Sequence, residues 1–87
     1  MLSFLEPVMS FSTLQINPRR ELFELAQQYG WHVRFPDSKR NGSVMVEAIV
    51  DGTNFHEAAS ATNRSKRGAT RVASQLLISK LKVILLL

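Results

Sequence analysis

Eighty-seven residues limit the chain to one small domain. A hydrophobic fraction of 45% is too high for a disordered chain, and the absence of cysteine excludes a disulfide framework and a thiolate metal site. The net charge of +4 and the pI near 10.1 suit nucleic acid or another anionic surface, although charge alone reads more simply as solubility.

Residues 1–16 carry Phe4, Leu5, Val8, Met9, Phe11, Leu14 and Ile16, with Glu6 and Pro7 among them. They lack the basic start of a signal peptide and read as a connector from a preceding domain. Asn17-Pro18 then opens a helix, with a side-chain cap followed by proline at the first helical position. Leu22, Leu25, Ala26 and Tyr29 fall on one apolar face, Arg20, Glu24 and Gln28 lie opposite, and Gly30 supplies the stop.

Three strand-like runs follow. Trp31 to Phe35 alternates, with Trp31, Val33 and Phe35 on one face. Residues 36–42 read as a polar turn region. Residues 44–50 form the second run, Asp51-Gly52 is a hairpin signal, and residues 55–61 form the third. Thr62, Asn63 and Arg64 read as a loop. A second helix is expected over about residues 66–81, with Ala69, Val72, Ala73, Leu76 and Leu77 inward. The expected class is α+β: an α-β-β-β-α order, with a three-stranded antiparallel sheet and two helices packed on one face. The domain is set at residues 17–82, and residues 83–87 read as an apolar tail too short to span a bilayer.

The most telling feature is the opening of that second helix. Ser65 is placed to cap it, Lys66, Arg67 and Arg71 crowd its first turns, and no acidic residue follows Glu57. A helix start offers free N–H groups and the positive end of the dipole, and these cations add full charges to the same place. The group reads as a grip on phosphates.

The run Ser65-Lys66-Arg67-Gly68-Ala69 resembles the Ser-Lys-Lys-x-Ala-Lys signature of the double-stranded RNA-binding domain, with Thr70 where a third lysine usually stands and Arg71 next. Val72-Ala73 and Leu76-Leu77 resemble the core stripe of that family's last helix. Leu22 and Glu24 resemble its Leu-x-Glu, with Phe23 between them. Pro18-Arg19-Arg20-Glu21-Leu22 is similar to the opening of the C-terminal domain of Dicer-type ribonucleases, and the plant Dicer-like wording fits best. One departure concerns the first inter-strand loop, where the family carries Gly-Pro-x-His. Here residues 37–43 read Asp-Ser-Lys-Arg-Asn-Gly-Ser.

The resemblance implies a double-stranded RNA partner, neighbouring nuclease domains or a protein partner, no membrane, and action in the nucleus, with the cytoplasm as the alternative. It implies small-RNA production and gene silencing for the full-length protein. RNA contact falls to Lys66, Arg67, Arg71, Thr70, Ser65, Arg64, Arg20, Glu24, Lys39 and Arg40. Glu24 reads equally as an acceptor for a 2′-hydroxyl and as an ordinary surface glutamate. Lys39 and Arg40 read as a flexible basic turn. Trp31, Phe35 and Phe55 read as core rather than stacking platforms.

Catalysis is not expected of the chain itself. Its two histidines without cysteine do not make a zinc site, its acids do not cluster for two metals, and it has no nucleotide-binding loop. No cofactor is expected. The competing reading is a protein-interaction module on the same fold.

Overall fold

The computed structural model describes residues 17–86, so the connector expected over residues 1–16 lies outside the described residues. Asn17 caps α1 (Pro18–Tyr29): its side chain accepts a hydrogen bond from the Arg20 amide at 3.1 Å. Pro18 takes the first helical position, where a missing N–H costs nothing. Gly30 ends the helix in the left-handed region at φ 74°. Leu22 and Ala26 are buried, whereas Tyr29 is exposed at the helix end and stacks on Trp31 at 4.8 Å. Trp31 in turn stacks on Phe55 at 4.5 Å. This aromatic column explains Gly52, because a Cβ there would run into the Trp31 ring.

The first strand runs further than the sequence suggests. β1 (His32–Arg34) and β2 (Asp37–Arg40) pair along the same edge of β3 (Ser43–Gly52) in one continuous register, with Val33 opposite Val50 and Asp37 opposite Val46. They are one strand interrupted at Pro36, which has no N–H to give but whose carbonyl still accepts from the Glu47 amide at 3.0 Å. The polar turn expected over residues 36–42 is therefore mostly strand. Only Asn41 and Gly42 turn, at φ 52° and 78°, the two positive values that a type I′ hairpin requires.

The second hairpin also shifts. Asp51 and Gly52 stay in β3, paired with His56 and Phe55, and the chain reverses at Thr53-Asn54, where Asn54 takes φ 58°. β4 (Phe55–Asn63) absorbs Thr62 and Asn63, which were expected in a loop. The sheet is three strands wide and antiparallel, with β3 in the middle.

α2 (Lys66–Leu86) is longer than expected and carries Val83–Leu86 as helix rather than as a separate tail. Alternate residues of β3, Val44, Val46, Ala48 and Val50, face the helices and join Leu22, Ala69, Ala73, Leu77, Ile78 and Leu81 in one core. Truncating a fully buried leucine such as Leu77 should cost about 2–5 kcal/mol. The inward face of α2 is rotated from the expected one. Ser74 and Ile78 are buried, while Val72 and Leu76 stand out in solvent. The cause is the wedge between sheet and α1: α2 must cover both, and its buried arc is centred between them.

Candidate nucleic-acid interface

Two side chains build the start of α2. The Ser65 hydroxyl accepts from the Gly68 amide at 3.0 Å, as a serine cap should. Two residues before the expected cap, Asn63 turns its side-chain oxygen onto the Arg64 amide at 2.7 Å and the Ser65 amide at 3.4 Å. Gly68 makes room for this, because a Cβ there would sit 2.9 Å from Asn63 Cγ. Sequence reasoning missed Asn63; an asparagine two residues ahead of a serine cap is the signal that was present.

The expected cations then divide. Lys66, Arg67, Arg71 and Arg64 are exposed around the helix start. Among the described residues Arg64, Arg67 and Arg71 have no acidic side chain within ion-pair distance. Lys66 does: its ammonium lies 3.9 Å from the Asp37 carboxylate. The expectation of a cluster without a nearby acid thus fails at one position, because the acid arrives from β2, twenty-nine residues upstream in the sequence. Thr70 turns its hydroxyl back to the Lys66 carbonyl at 2.8 Å, leaving only its lone pairs for a ligand.

Lys39 and Arg40 do not form a flexible turn. They are successive residues of β2, so their side chains leave opposite faces of the sheet. Lys39 pairs with Val44, itself opposite Asn63, on the face that carries the helices and the start of α2. Arg40, opposite Ser43, faces the other way. Only Lys39 shares a side with Lys66.

Arg20 and Glu24 sit on the exposed face of α1 and pair with each other at 3.4 Å. They lie far from the start of α2. The adjacent Glu21 is joined to Lys82 at 3.4 Å, and Lys82 is sixteen residues, or about 24 Å of helix, beyond Lys66. Arg71 lies three turns before Lys82 on the same flank of α2, so the basic flank runs along the α1 side toward Arg20 and Glu24. Two further cations of the second half of the chain are spent inside the fold: Lys82 on Glu21, and Lys80 on Glu57 at 3.6 Å and the Ala58 carbonyl at 2.9 Å. Arg19, not singled out from the sequence, lies over the Phe23 and Phe35 rings at 5.2 and 5.7 Å.

A second charged cluster occupies the open face of the sheet. Arg34 and His56 both bond the Asp51 carboxylate, Arg34 at 2.9 Å. The hydrogen bond from His56, followed by that from Arg34, holds the Asp51 carboxyl below the ordinary carboxylate range. Among the described residues, no group of three His, Cys, Asp or Glu side chains is placed to hold a metal ion, and no helix is long and apolar enough to cross a membrane.

The chain superposes on the double-stranded RNA-binding domain in a crystal structure of a Miranda/Staufen dsRBD5 complex with a TM-score of 0.64, covering 83% of this chain and 100% of that one at 15% identity. The fold is that of a double-stranded RNA-binding domain. In sequence, 83 residues, 94% of the chain, are 36% identical to Endoribonuclease Dicer homolog 4 of Oryza sativa subsp. japonica. The chain spans only 5% of the length of that relative. No family model matches. The chain therefore carries a binding-domain fold and resembles a small part of a Dicer homolog. The endoribonuclease activity in that name belongs to the whole rice protein.

Proposed function

We propose that this chain is the double-stranded RNA-binding module of a Dicer-like endoribonuclease that acts in small-RNA production and gene silencing. The observation that carries the reading is the basic flank of α2. Arg67 and Arg71, with Arg64 and Lys66 at the helix start, are exposed and fixed to a capped backbone. Double-stranded RNA-binding domains span about 16 base pairs, touching two successive minor grooves and the phosphates of the major groove between them. Lys82, which pairs with Glu21 of α1, lies about 24 Å along α2 from Lys66, an offset that suits that division: α1 along one minor groove, the start of α2 on the intervening phosphates. The two-residue Asn41-Gly42 turn is too short to enter the next minor groove deeply, so Lys39 adds charge at its edge instead.

The module would hold the duplex by shape and phosphate charge for nuclease domains elsewhere in the protein to cut. The likeness to a Dicer homolog of Oryza sativa supports the Dicer-like reading, and the nucleus is the proposed place of action. The distribution of a fluorescent fusion tests the latter.

The binding claim is tested by measuring duplex RNA affinity against salt for the wild type and for Lys66→Ala with Arg67→Ala. Losing two phosphate contacts should lower the slope of log affinity against log salt by about 1–2 units. An unchanged slope would overturn the assignment. A second reading, a protein-interaction module, draws on the shortened turn; it gains if the wild-type chain shows no salt-dependent duplex binding.

A further inference from the structure

The chain has four asparagines, Asn17, Asn41, Asn54 and Asn63, and the fold treats them differently. An asparagine is chemically labile where the backbone nitrogen of the next residue is free to attack its side-chain carbonyl carbon. Asn17 precedes Pro18, which has no N–H to lose. Asn54 precedes Phe55, whose bulk crowds the approach and whose ring is fixed on Trp31 at 4.5 Å. Asn63 precedes Arg64, and its side-chain amide is wedged against Gly68 with the oxygen held by the Arg64 and Ser65 amides.

Asn41 has none of these protections. It is exposed at the tip of the first hairpin, and the next residue is Gly42, also exposed, with open space where a Cβ would stand. The strands end at the Arg40–Ser43 pair, so the Gly42 N–H lies outside the ladder, and among the described residues it has no backbone partner. The equivalent acidic pair, Asp51 before Gly52, is locked by comparison. Arg34 and His56 hold the Asp51 carboxylate, and Gly52 pairs with Phe55 inside the sheet.

We propose that Asn41 is a site of spontaneous deamidation, and that its conversion weakens the contribution of β2 to duplex binding; the second part rests on the RNA-binding reading. The Gly42 nitrogen, losing its proton, bonds to the Asn41 Cγ. The Cγ–Nδ2 bond breaks, and Nδ2 leaves as ammonia with that proton. The five-membered imide then adds one water molecule and opens at either carbonyl, to aspartate or to isoaspartate. Water is the one co-reactant, and no electrons are exchanged. Ring closure swings the Gly42 nitrogen out of its place in the type I′ turn, so it proceeds through opening of the two-residue tip. Aspartate keeps the turn, because Asp-Gly also suits type I′, but adds a negative charge next to Arg40 and two residues from Lys39. Isoaspartate also lengthens the backbone by one carbon, which breaks the two-residue geometry that pairs Arg40 with Ser43.

The test ages the full chain for weeks in mildly alkaline buffer and locates the deamidation mass gain by peptide mapping. Asn41 should account for nearly all of it. Duplex RNA affinity should fall in step with the converted fraction. Asn41→Asp, made directly, should bind duplex RNA about twofold to fivefold more weakly than fresh wild type with a nearly unchanged thermal midpoint. Asn41→Gly keeps a residue that tolerates the positive φ and has no amide to lose, so its affinity should not change on ageing. No conversion at Asn41, or conversion spread evenly over the four asparagines, would overturn the site. Conversion at Asn41 with full affinity retained would overturn its effect on binding. A fresh wild type that binds no duplex RNA would instead count against the RNA-binding reading, and the mass result would still decide the site.

Discussion

The Lys66 ammonium stands 3.9 Å from the Asp37 carboxylate, tying the first residue of α2 to the edge of the sheet. The pair is half-exposed, so it contributes little to stability, but it sets a negative charge beside a cation proposed to meet phosphate. Asp37→Asn should raise duplex RNA affinity by about twofold to fivefold and change stability by less than about 0.5 kcal/mol. A titration at fixed salt checks this. A loss of affinity would mean that Asp37 positions Lys66 rather than competing for it.

The two β2 cations should behave differently, because strand alternation sends them to opposite faces. Lys39→Ala should weaken duplex RNA binding by a few-fold, and by less than the Lys66/Arg67 double change, whereas Arg40→Ala should leave it nearly unchanged. The comparison is made in one salt titration of the two single variants. Equal losses would show that the RNA reaches the open face of the sheet.

Ser74 is fully buried, and its hydroxyl is the one buried side-chain polar atom without a hydrogen-bond partner among the described residues. An unpartnered buried hydroxyl costs about 1–3 kcal/mol, and alanine is also the better helix former. Ser74→Ala should therefore raise the thermal midpoint by several degrees, about 4–8 °C for each kcal/mol gained. A lower midpoint in a melting experiment would show that the hydroxyl has a partner after all.

The Asp51 carboxyl, bonded by His56 and Arg34, is held below its ordinary value of 3.8. The sign follows from that direction. The folded state binds the proton less readily than the unfolded chain, so the cluster's contribution is complete above the ordinary carboxylate range and is lost as pH falls through the lower folded-state value. Asp51→Asn should reduce stability at neutral pH and flatten its fall in acid. Denaturant midpoints measured from pH 2 to 7 check this; parallel curves for the two proteins would rule the cluster out as a source of acid sensitivity.

The capped ends of the helices were legible, since Asn17-Pro18, Gly30 and Ser65 act locally and each needs only its own neighbours. The order of elements was legible for the same reason. The hairpin turns were not, because Asn41-Gly42 and Asp51-Gly52 carry equivalent turn chemistry. Only pairing with β3 decides that the first reverses the chain and the second continues a strand. The rotation of α2 was hidden because Val72, Leu76, Leu77 and Ile78 offer overlapping apolar stripes, and the choice among them belongs to the sheet and α1 together. At the interface the cations were legible, but their partners were not. Asp37 is distant in sequence, and the separation of Lys39 from Arg40 depends on a strand whose proline disguises it as a loop.

The central claim is recognition of an A-form duplex by shape and phosphate charge, and it is most directly tested by titrating the full chain with duplex RNA, duplex DNA and single-stranded RNA of equal length at physiological salt. The arrangement of α1 and the start of α2 fits grooves and 2′-hydroxyls that only duplex RNA presents together, so duplex RNA should bind most tightly, with the other two clearly weaker. Equal affinity for duplex RNA and duplex DNA would contradict the account and leave the basic flank of α2 as a general attraction to polyanions.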